Sequence, residues 1–269
     1  MLFACGDLAR VQGDYAAARS YFEKLRAVAP KPQRNLEWTT DDGLYGLGEL
    51  ARDQGELETA RALLTECLAS WRELGVAPVW NFSRDGKRIE RRAASLAVQP
   101  LGDVARYQGR CEEAQALYEE TLAHVRQFRE DVYQQRLVAG VLLKLALVAQ
   151  KQGDGERAAA RYQEGLALYR QAGGTGGKLE TAACFEACGH LAAAQGQALR
   201  AARLLGAAAA LREAMGAPLP PVERPEFERS VAAARAALGE DEFANLWAAG
   251  RGLSLEDAVA YALEETVRT

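Results

Sequence analysis

The sequence predicts an all-α protein, a right-handed α-solenoid of about five helix hairpins closed by a C-terminal helical cap. Three observations support this fold class. Helix-favouring Ala, Leu, Glu, Arg and Gln dominate the 269 residues, whereas Ile89 is the only isoleucine, so a buried sheet would have few β-branched side chains. A Gln-Gly dipeptide recurs five times at nearly regular intervals. After the last dipeptide, apolar residues continue at helical spacing.

The Gln-Gly dipeptides mark a sequence repeat, because their glycines are 42, 54, 44 and 43 residues apart. A small residue lies seven positions before each glycine, and alanine lies four positions before and five positions after it. A large apolar residue follows four positions after the second alanine. Closely packed helices need small residues where their backbones approach and a large side chain in the space beside them. The five glycines are Gly13, Gly55, Gly109, Gly153 and Gly196.

The repeats predict a helical array over residues 1–216 and a cap over 217–269. One hairpin cannot cover both of its apolar faces, so neighbouring hairpins are expected to stack. Three short helices are predicted in the cap, because Gly239 and Gly250 are helix stops and Ser254 with Asp257 resembles a capping box. The five units are predicted at about 1–30, 40–74, 93–129, 136–172 and 179–215.

The pattern of small, alanine and large apolar positions resembles the tetratricopeptide repeat. Pro30 matches the proline that closes a unit in that family, although the later units lack it and the period exceeds the ~34 residues of the standard repeat. Length alone also admits HEAT-like repeats of ~40–47 residues. Residues 140–265, above all the stretch 203–265, resemble the end of the tetratricopeptide region in bacterial LuxR-type transcriptional regulators that carry a signal-transduction ATPase.

The second resemblance implies a non-catalytic sensor or protein-interaction module that controls an attached ATPase. A helix-turn-helix domain often follows the array in that family. This sequence shows neither that domain nor a nucleotide-binding domain, so DNA binding by this chain alone is not expected. Two alternatives stay open: a free-standing adaptor that binds a peptide or helix in a concave groove, and a small-ligand receptor with a pocket beside an insertion at Trp80.

Composition narrows the cellular context. The net charge of −4 gives no general attraction to nucleic acid or to anionic membranes. No stretch approaches the ~18 apolar residues of a membrane span, and the first residues lack the features of a secretory signal. Five cysteines, an odd number without a framework spacing, indicate reduced thiols. A cytoplasmic protein is therefore expected.

Motifs for catalysis, cofactors or metals are weak. The glycine-rich loop before Lys178 lacks the hydroxyl residue of a phosphate-binding P-loop, because Leu179 stands at that position. Cys184 and Cys188 share a helix face, but Cys188 occupies a packing position and His190 points elsewhere. Neither histidine of the chain lies in a catalytic motif. No enzyme activity, cofactor or metal is expected.

A basic run near Trp80 and Phe82 is the best candidate for contact with nucleic acid. Acidic residues interrupt it, and the alternative is a solvated helix start whose cations pair with neighbouring acids. A contact with protein or with an acidic ligand fits this insertion better than nucleic acid does. The run consists of Arg84, Lys87, Arg88, Arg91 and Arg92.

Resemblance to tetratricopeptide arrays implies that the first helices line a concave groove for a protein or peptide partner. In three units an acid and an arginine lie three positions apart, on one helix face. Two interpretations remain open: the arginines form a ladder that binds carboxylates of a partner, or each is already held by its own acid. The candidate groove residues are Asp7, Arg10, Tyr45, Glu49, Arg52, Asp103, Arg106, Tyr107, Gln150, Lys151 and His190.

The first unit has only eleven residues before its Gln-Gly turn. Its outer apolar edge, Leu2 and Phe3, is therefore expected to be uncovered, whereas repeat arrays need capped ends. A preceding segment or a partner is predicted to cover this edge, and the chain could self-associate through it.

Overall fold

The computed structural model describes residues 1–29, 40–74, 94–127, 132–171 and 178–264. Within these ranges the chain forms thirteen helices and no strand, which confirms the all-α fold class. The helices belong to two compact units, Met1–His124 (unit 1) and Val125–Thr269 (unit 2). The predicted division between array and cap at residue 216 stays a prediction.

Unit 1 contains three helix hairpins. In each of them a first helix and a second helix are joined by a tight turn at a Gln-Gly dipeptide. The helices are α1 Leu2–Val11, α2 Tyr15–Val28, α3 Thr40–Gln54, α4 Leu57–Leu74, α5 Ala94–Tyr107 and α6 Cys111–Val125.

Unit 2 contains two further hairpins and three shorter helices. The shorter helices were predicted from the glycine stops, and the hydroxyl of Ser254 accepts a hydrogen bond from the backbone N–H of Asp257 as the capping box requires. The helices are α7 Val132–Lys151, α8 Gly155–Gln171, α9 Lys178–Ala194, α10 Ala198–Met215, α11 Arg224–Leu238, α12 Glu240–Arg251 and α13 Leu255–Glu264.

The turns follow from their glycines. All five Gln-Gly glycines have φ between 74° and 83°, the left-handed conformation that ends a helix and that other residues adopt at a cost. The next helix often begins with an acid whose carboxylate caps it, as Asp14 does by accepting from the N–H of Ala17 at 3.0 Å.

Close helix packing explains the other repeated positions. The alanines before and after each turn are buried. In four of the five hairpins the small position is glycine, and a Cβ there would come within 2.6 or 2.7 Å of the large side chain of the second helix, so a larger residue would force that side chain to move. These contacts are Gly6 with Phe22, Gly48 with Leu64, Gly102 with Tyr118 and Gly189 with Leu205.

The N-terminal edge corrects one expectation. Phe3 is buried, because its ring packs against Phe22 at a centroid distance of 5.4 Å and against Tyr45 at 6.3 Å. Leu2 is half-buried against the same cluster. The prediction that Leu2 and Phe3 form an uncovered edge was therefore wrong, because α2 and α3 already cover Phe3.

In unit 2, α10 packs closely against α12 through two glycines. A Cβ at Gly206 would lie 2.6 Å from the backbone oxygen of Trp247, and a Cβ at Gly250 would lie 2.1 Å from that of Arg203. The last hairpin shares one apolar core with α11 and α12, whereas α13 packs into the core that α7, α8, α9 and α10 form. None of the helices in the described ranges combines the length and hydropathy that crossing a membrane requires.

Candidate functional site

In unit 1 the first helices α1, α3 and α5 carry one connected network of charges. Helix α3 contacts both α1 and α5, so polar side chains from the three hairpins meet. We call this network the ion-pair chain; it consists of Asp7, Arg10, Glu49, Arg52, Asp53 and Asp103.

Arg10 joins the first hairpin to the second. Its Nη2 donates to Oδ1 of Asp7 on the same helix at 2.6 Å. Its Nη1 donates to Oδ2 of Asp53 on α3 at 2.5 Å. Glu49 of α3 lies 3.7 Å from Nη2. Arg10 therefore holds its own acid and also an acid of the next hairpin.

Arg52 joins the second hairpin to the third in the same manner. Its Nη2 donates to Oδ1 of Asp53 at 2.7 Å, and its Nη1 donates to Oε1 of Glu49 at 3.2 Å. The same Nη1 donates to Oδ2 of Asp103 on α5 at 3.2 Å. Both central arginines are thus surrounded by carboxylates that come from two hairpins.

The third hairpin ends the chain of ion pairs differently. The buried hydroxyl of Tyr118 donates to Oδ1 of Asp103 at 2.7 Å, so this carboxylate is held by a phenol and by Arg52. Arg106 is buried, and its guanidinium lies over the ring of Tyr107, 4.1 Å from the centroid. Tyr107 stands at the position that Asp53 has in the second hairpin, and it meets the arginine by cation–π stacking.

Electrostatics stabilise the charged forms in this network. Burial disfavours the charge of Asp53, but Arg52 and Arg10 outweigh it and hold the pKa of Asp53 below its ordinary value. Burial likewise disfavours a charged Arg10, yet Glu49 and Asp53 raise the pKa of Arg10. The groups are mutually dependent, because each charge is tolerated only beside the others.

These contacts bear on the two interpretations of the arginines. Arg10 and Arg52 are paired with their own acids, Asp7 and Glu49, and also with acids of the next hairpin. A partner carboxylate would have to displace an existing one.

Among the remaining candidate groove residues of unit 1, Tyr45 packs against Phe3 and Trp71 and is half-buried.

Candidates in unit 2 lie in different surroundings. Gln150 accepts a hydrogen bond from the hydroxyl of Tyr162 at 3.1 Å, and Lys151 is exposed. His190 shares a hydrogen bond with Ser230 on α11, where Nδ1 and Oγ are 2.9 Å apart. The ring of Phe227 meets His190 edge-on at 6.3 Å. His190 thus helps to hold α11 against α9.

An open cleft of about 630 Å³ lies beside this contact. We call it the C-terminal cleft. It is formed by α9, the end of α10, the loop that follows Gly216 and the start of α11. Its lining is largely apolar and includes five charged side chains. The lining residues are Glu186, Ala209, Arg212, Glu213, Gly216, Ala217, Pro218, Leu219, Arg224, Phe227 and Glu228.

A buried ion pair forms part of the cleft wall. Arg212 donates through Nε to Oε1 of Glu186 and through Nη2 to Oε2 at 2.9 Å, so the pair is bidentate. Oε2 of Glu223 lies 3.7 Å from the same Nη2. Burial raises the pKa of Glu186 to about 7 although Arg212 opposes this rise, and the charge of Glu223 adds to it.

Buried thiols explain the cysteine pattern of α9. All five cysteines are free, and Cys184 and Cys188 are buried in the core of unit 2. Burial raises the pKa of Cys188 to about 12 and also raises that of Cys184, which keeps both thiols protonated and unreactive. Across the described ranges, no group of three or more metal-binding side chains is close enough to hold an ion.

Several site residues were not found from the sequence. The cross-hairpin pairs have no common repeat position: Arg10 bonds to an acid two residues before a turn glycine, and Arg52 to one six residues before. Arg212 and the loop of the cleft lie outside the repeat pattern. Three predicted features fall outside the described residues: Pro30, the insertion with Trp80 and its basic run, and the glycine-rich loop 172–177.

Comparisons with known proteins agree with the hairpin architecture. The family model of the tetratricopeptide repeat matches residues 44–74, which lie in the second hairpin. The tetratricopeptide interpretation is therefore confirmed for this hairpin. None of the curated proteins matches the chain by sequence.

Two solved structures share the fold. One is a Rap protein complexed with competence and sporulation factor; it is 13% identical, with a TM-score of 0.59 over 99% of this chain and 75% of that chain. The other is the Rap conjugation gene regulator of plasmid pLS20 in complex with the Phr* peptide; it is 14% identical, with a TM-score of 0.52 over 99% of this chain and 74% of that chain.

Proposed function

We propose that this chain is a non-catalytic interaction module that binds a protein or peptide partner on the first helices of unit 1. The observation that carries this proposal is the ion-pair chain. Three hairpins contribute charged side chains to one connected network on α1, α3 and α5. A charged face that is already held in place loses little conformational entropy when it binds.

Within this face we assign the arginines a positioning role. Arg10 and Arg52 hold carboxylates, and the half-exposed side chains that a partner meets include Asp7 and Tyr107. The Asp7 side chain is 42% exposed, and its charge favours a partner with basic residues. The predicted arginine ladder thus becomes a scaffold that presents acids, rather than a receptor for acids.

Peptide display against the full chain tests this proposal. Selected peptides are expected to be enriched in Lys and Arg, and the variants Asp7→Lys and Tyr107→Ala should weaken their binding at least tenfold in fluorescence anisotropy. Glu23→Lys is the matched control, because Glu23 is exposed on the second helix α2. Enrichment of acidic peptides, or equal affinity of all four proteins, would contradict the proposal.

At a finer level we propose that the module acts in the cytoplasm as the regulatory part of a bacterial transcriptional regulator of the LuxR type. The resemblance of residues 140–265 to that family supports this, as do five free cysteines, which suit a reducing compartment. The fold is also that of a gene regulator bound to a peptide, an analogy at the level of fold.

The size of the native polypeptide tests the finer proposal. An immunoblot of source cells should show a band several times larger than 29.2 kDa, the mass of this chain. A band near the mass of the chain itself would contradict the regulator context and favour the free-standing adaptor. In that case the proposal that the first helices of unit 1 bind a partner would stand. The next experiment would be a pull-down that uses the chain as bait.

A further inference from the structure

The C-terminal cleft has the dimensions of a site for a small organic ligand. Such sites enclose about 300–1,000 Å³, are mostly apolar and carry a few placed polar groups. The volume of about 630 Å³ lies in this range. Three helices and a loop surround the space, so its walls come from separate elements of unit 2.

The loop that follows α10 uses its main-chain polar groups within the protein. The N–H of Ala217 donates to the carbonyl oxygen of Arg212 at 3.0 Å, and the carbonyl oxygen of Ala217 accepts from Nη1 of Arg212 at 3.5 Å. The carbonyl oxygen of Leu219 accepts from Nε of Arg224 at 3.0 Å. Pro218 has no N–H to donate. A ligand therefore meets this loop mainly through its apolar side chains.

The charged side chains of the lining are held within the protein or solvated. Arg212 donates to both oxygens of Glu186. Glu213 pairs with an arginine of α12 at 2.5 Å. Arg224 and Glu228 are exposed, opposite in sign and one helical turn apart, so water and each other's charge weaken their effect. A charged ligand would lose its water shell and would have to compete with these contacts for a counter-charge.

The buried end of the cleft also disfavours charge. Glu186 is only 5% exposed, and burial is the largest cause of the rise of its pKa to about 7, although Arg212 opposes this rise. An environment that disfavours the charge of a carboxylate already bonded to an arginine disfavours a second, unbonded charge more strongly. The ligand that suits this end of the cleft is therefore uncharged.

The apolar wall of the cleft is in place before a ligand arrives. The ring of Phe227 meets Trp247 edge-on at 6.4 Å and His190 edge-on at 6.3 Å, so contacts with α12 and α9 fix its position. Ala209 of α10 and Leu219 of the loop line the same space. A preformed wall costs a ligand less ordering of the protein.

We propose that the C-terminal cleft binds an uncharged, mainly apolar small molecule, whose body lies against Ala209, Leu219 and Phe227. The affinity comes from apolar surface that ligand and cleft remove from water. The charged groups of the lining stay in their present pairs when the ligand binds. This site belongs to unit 2 and does not depend on the partner face proposed for unit 1.

Fluorescence titration of the full chain with N-phenyl-1-naphthylamine, an uncharged apolar fluorophore, tests the proposal. A saturable rise in fluorescence is expected. Three competitors share one apolar body and differ in charge: 4-phenylbutan-1-ol, 4-phenylbutylamine and 4-phenylbutyrate. The alcohol is expected to displace the fluorophore at a concentration at least tenfold lower than the amine or the acid requires. Equal or better displacement by the amine or the acid would overturn the proposal, as would a titration that does not saturate.

Variants locate the binding site. Ala209→Leu fills the cleft and should weaken the fluorophore at least tenfold, and Leu219→Ser removes part of the apolar wall and should weaken it at least threefold. Neither side chain is fully buried, so both variants are expected to fold. Leu199→Ser is the matched control, because Leu199 is exposed on α10 and does not line the cleft. Unchanged affinity in either cleft variant, or an equal loss in the control, would overturn the proposal.

A peptide arm separates a small-ligand site from a docking site for a partner. N-acetyl-Leu-Phe-amide is uncharged and carries similar apolar groups on a peptide backbone. It is expected to displace the fluorophore less well than 4-phenylbutan-1-ol, because its amides would lose water against main-chain groups that are already bonded. Better displacement by the peptide would assign the cleft to a partner's apolar side chains and overturn the proposal.

The variant Asp7→Lys keeps this proposal distinguishable from the one for unit 1. It is expected to weaken peptide binding to unit 1 and to leave the affinity for the fluorophore unchanged. A loss of fluorophore binding in Asp7→Lys would place the fluorophore on unit 1 and overturn the assignment to the cleft.

Discussion

The two units solve the same problem of buried charge in opposite ways. In unit 1, Asp53 accepts hydrogen bonds from Arg10 and Arg52, so one carboxylate lies between two cations. In unit 2, both oxygens of Glu186 accept hydrogen bonds from Arg212, and Glu223 lies near the same guanidinium. The pKa of Asp53 is lowered and that of Glu186 is raised, although both acids are buried.

The direction of each pKa shift therefore depends on how strongly the neighbouring arginines oppose burial, and not on burial alone. Burial disfavours both carboxylates. At Asp53 the two arginines outweigh burial, so the charged form wins and the group strengthens the fold. At Glu186 burial outweighs the bidentate bond from Arg212, so the protonated form is favoured. The same hairpin architecture thus keeps one buried carboxylate charged in unit 1 and favours protonation of another in unit 2.

The largest effect is expected when the ion-pair chain is cut in its middle. Arg52→Met leaves Glu49, Asp53 and Asp103 without their shared cation in a mostly buried setting, which should lower the free energy of unfolding by about 3 kcal/mol. Urea denaturation measures this. Arg72→Met is the control, because its exposed pair with Glu120 should contribute less than about 1 kcal/mol. Equal losses would show that the network is no stronger than surface pairs.

A loss of about 2 to 3 kcal/mol is expected when the backbone contact in unit 2 is disturbed. Gly250→Ala places a Cβ against the backbone oxygen of Arg203, which cannot move aside as a flexible side chain would. Gly252→Ala, two residues further on, meets nothing nearer than 3.6 Å and should change stability little. Thermal unfolding of both variants makes the comparison. A stable Gly250→Ala variant would show that α12 is not held closely on α10.

The third prediction tests the opposite pKa shifts. A folded-state pKa of about 7 for Glu186 means that its stabilising contribution is complete below pH 4.5, its ordinary value, and is lost as pH rises through 7. This loss should be on the order of 2 kcal/mol and should disappear in Glu186→Gln. Asp53 contributes in the other direction: its lowered pKa gives stability above about pH 3.8 that is lost at lower pH.

Urea titrations from pH 3 to pH 8 measure both effects. The variant Asp53→Asn tests the loss of stability at low pH. The difference between wild type and each variant isolates the contribution of one carboxylate. The prediction is contradicted if the free energy of unfolding changes between pH 4.5 and pH 7.5 by the same amount in the wild type and in Glu186→Gln. Arg212 would then fully offset the effect of burial on Glu186.

The smallest effect compares two tyrosines at the same repeat position. Tyr118 donates to the carboxylate of Asp103 at 2.7 Å, and Tyr162 donates to the amide of Gln150 at 3.1 Å. Hydrogen bonds to charged groups are the stronger class. Tyr118→Phe should therefore cost about 1 kcal/mol more than Tyr162→Phe in denaturant unfolding. A reversed order would indicate that Arg52 satisfies Asp103 without the phenol.

Much of the fold could be predicted because its signals are local. The Gln-Gly dipeptides predicted the turns, where the structure has glycines of positive φ. The small position seven residues earlier predicted the close contact with the large side chain, as between Gly102 and Tyr118. The error at Phe3 has a physical cause. An eleven-residue start suggested an open edge, but the ring reaches α2 and α3 and is covered there.

By itself the sequence determined the helices, their turns and the face on which Asp7, Arg10, Glu49 and Arg52 lie, because these depend on spacing within one hairpin. Only the tertiary structure decided which acid each arginine holds and that Glu186 meets Arg212 beside a cleft. Those partners are 26 to 51 residues apart and have no common register. Charge attraction acts through space, so a pattern along the chain carries no record of it.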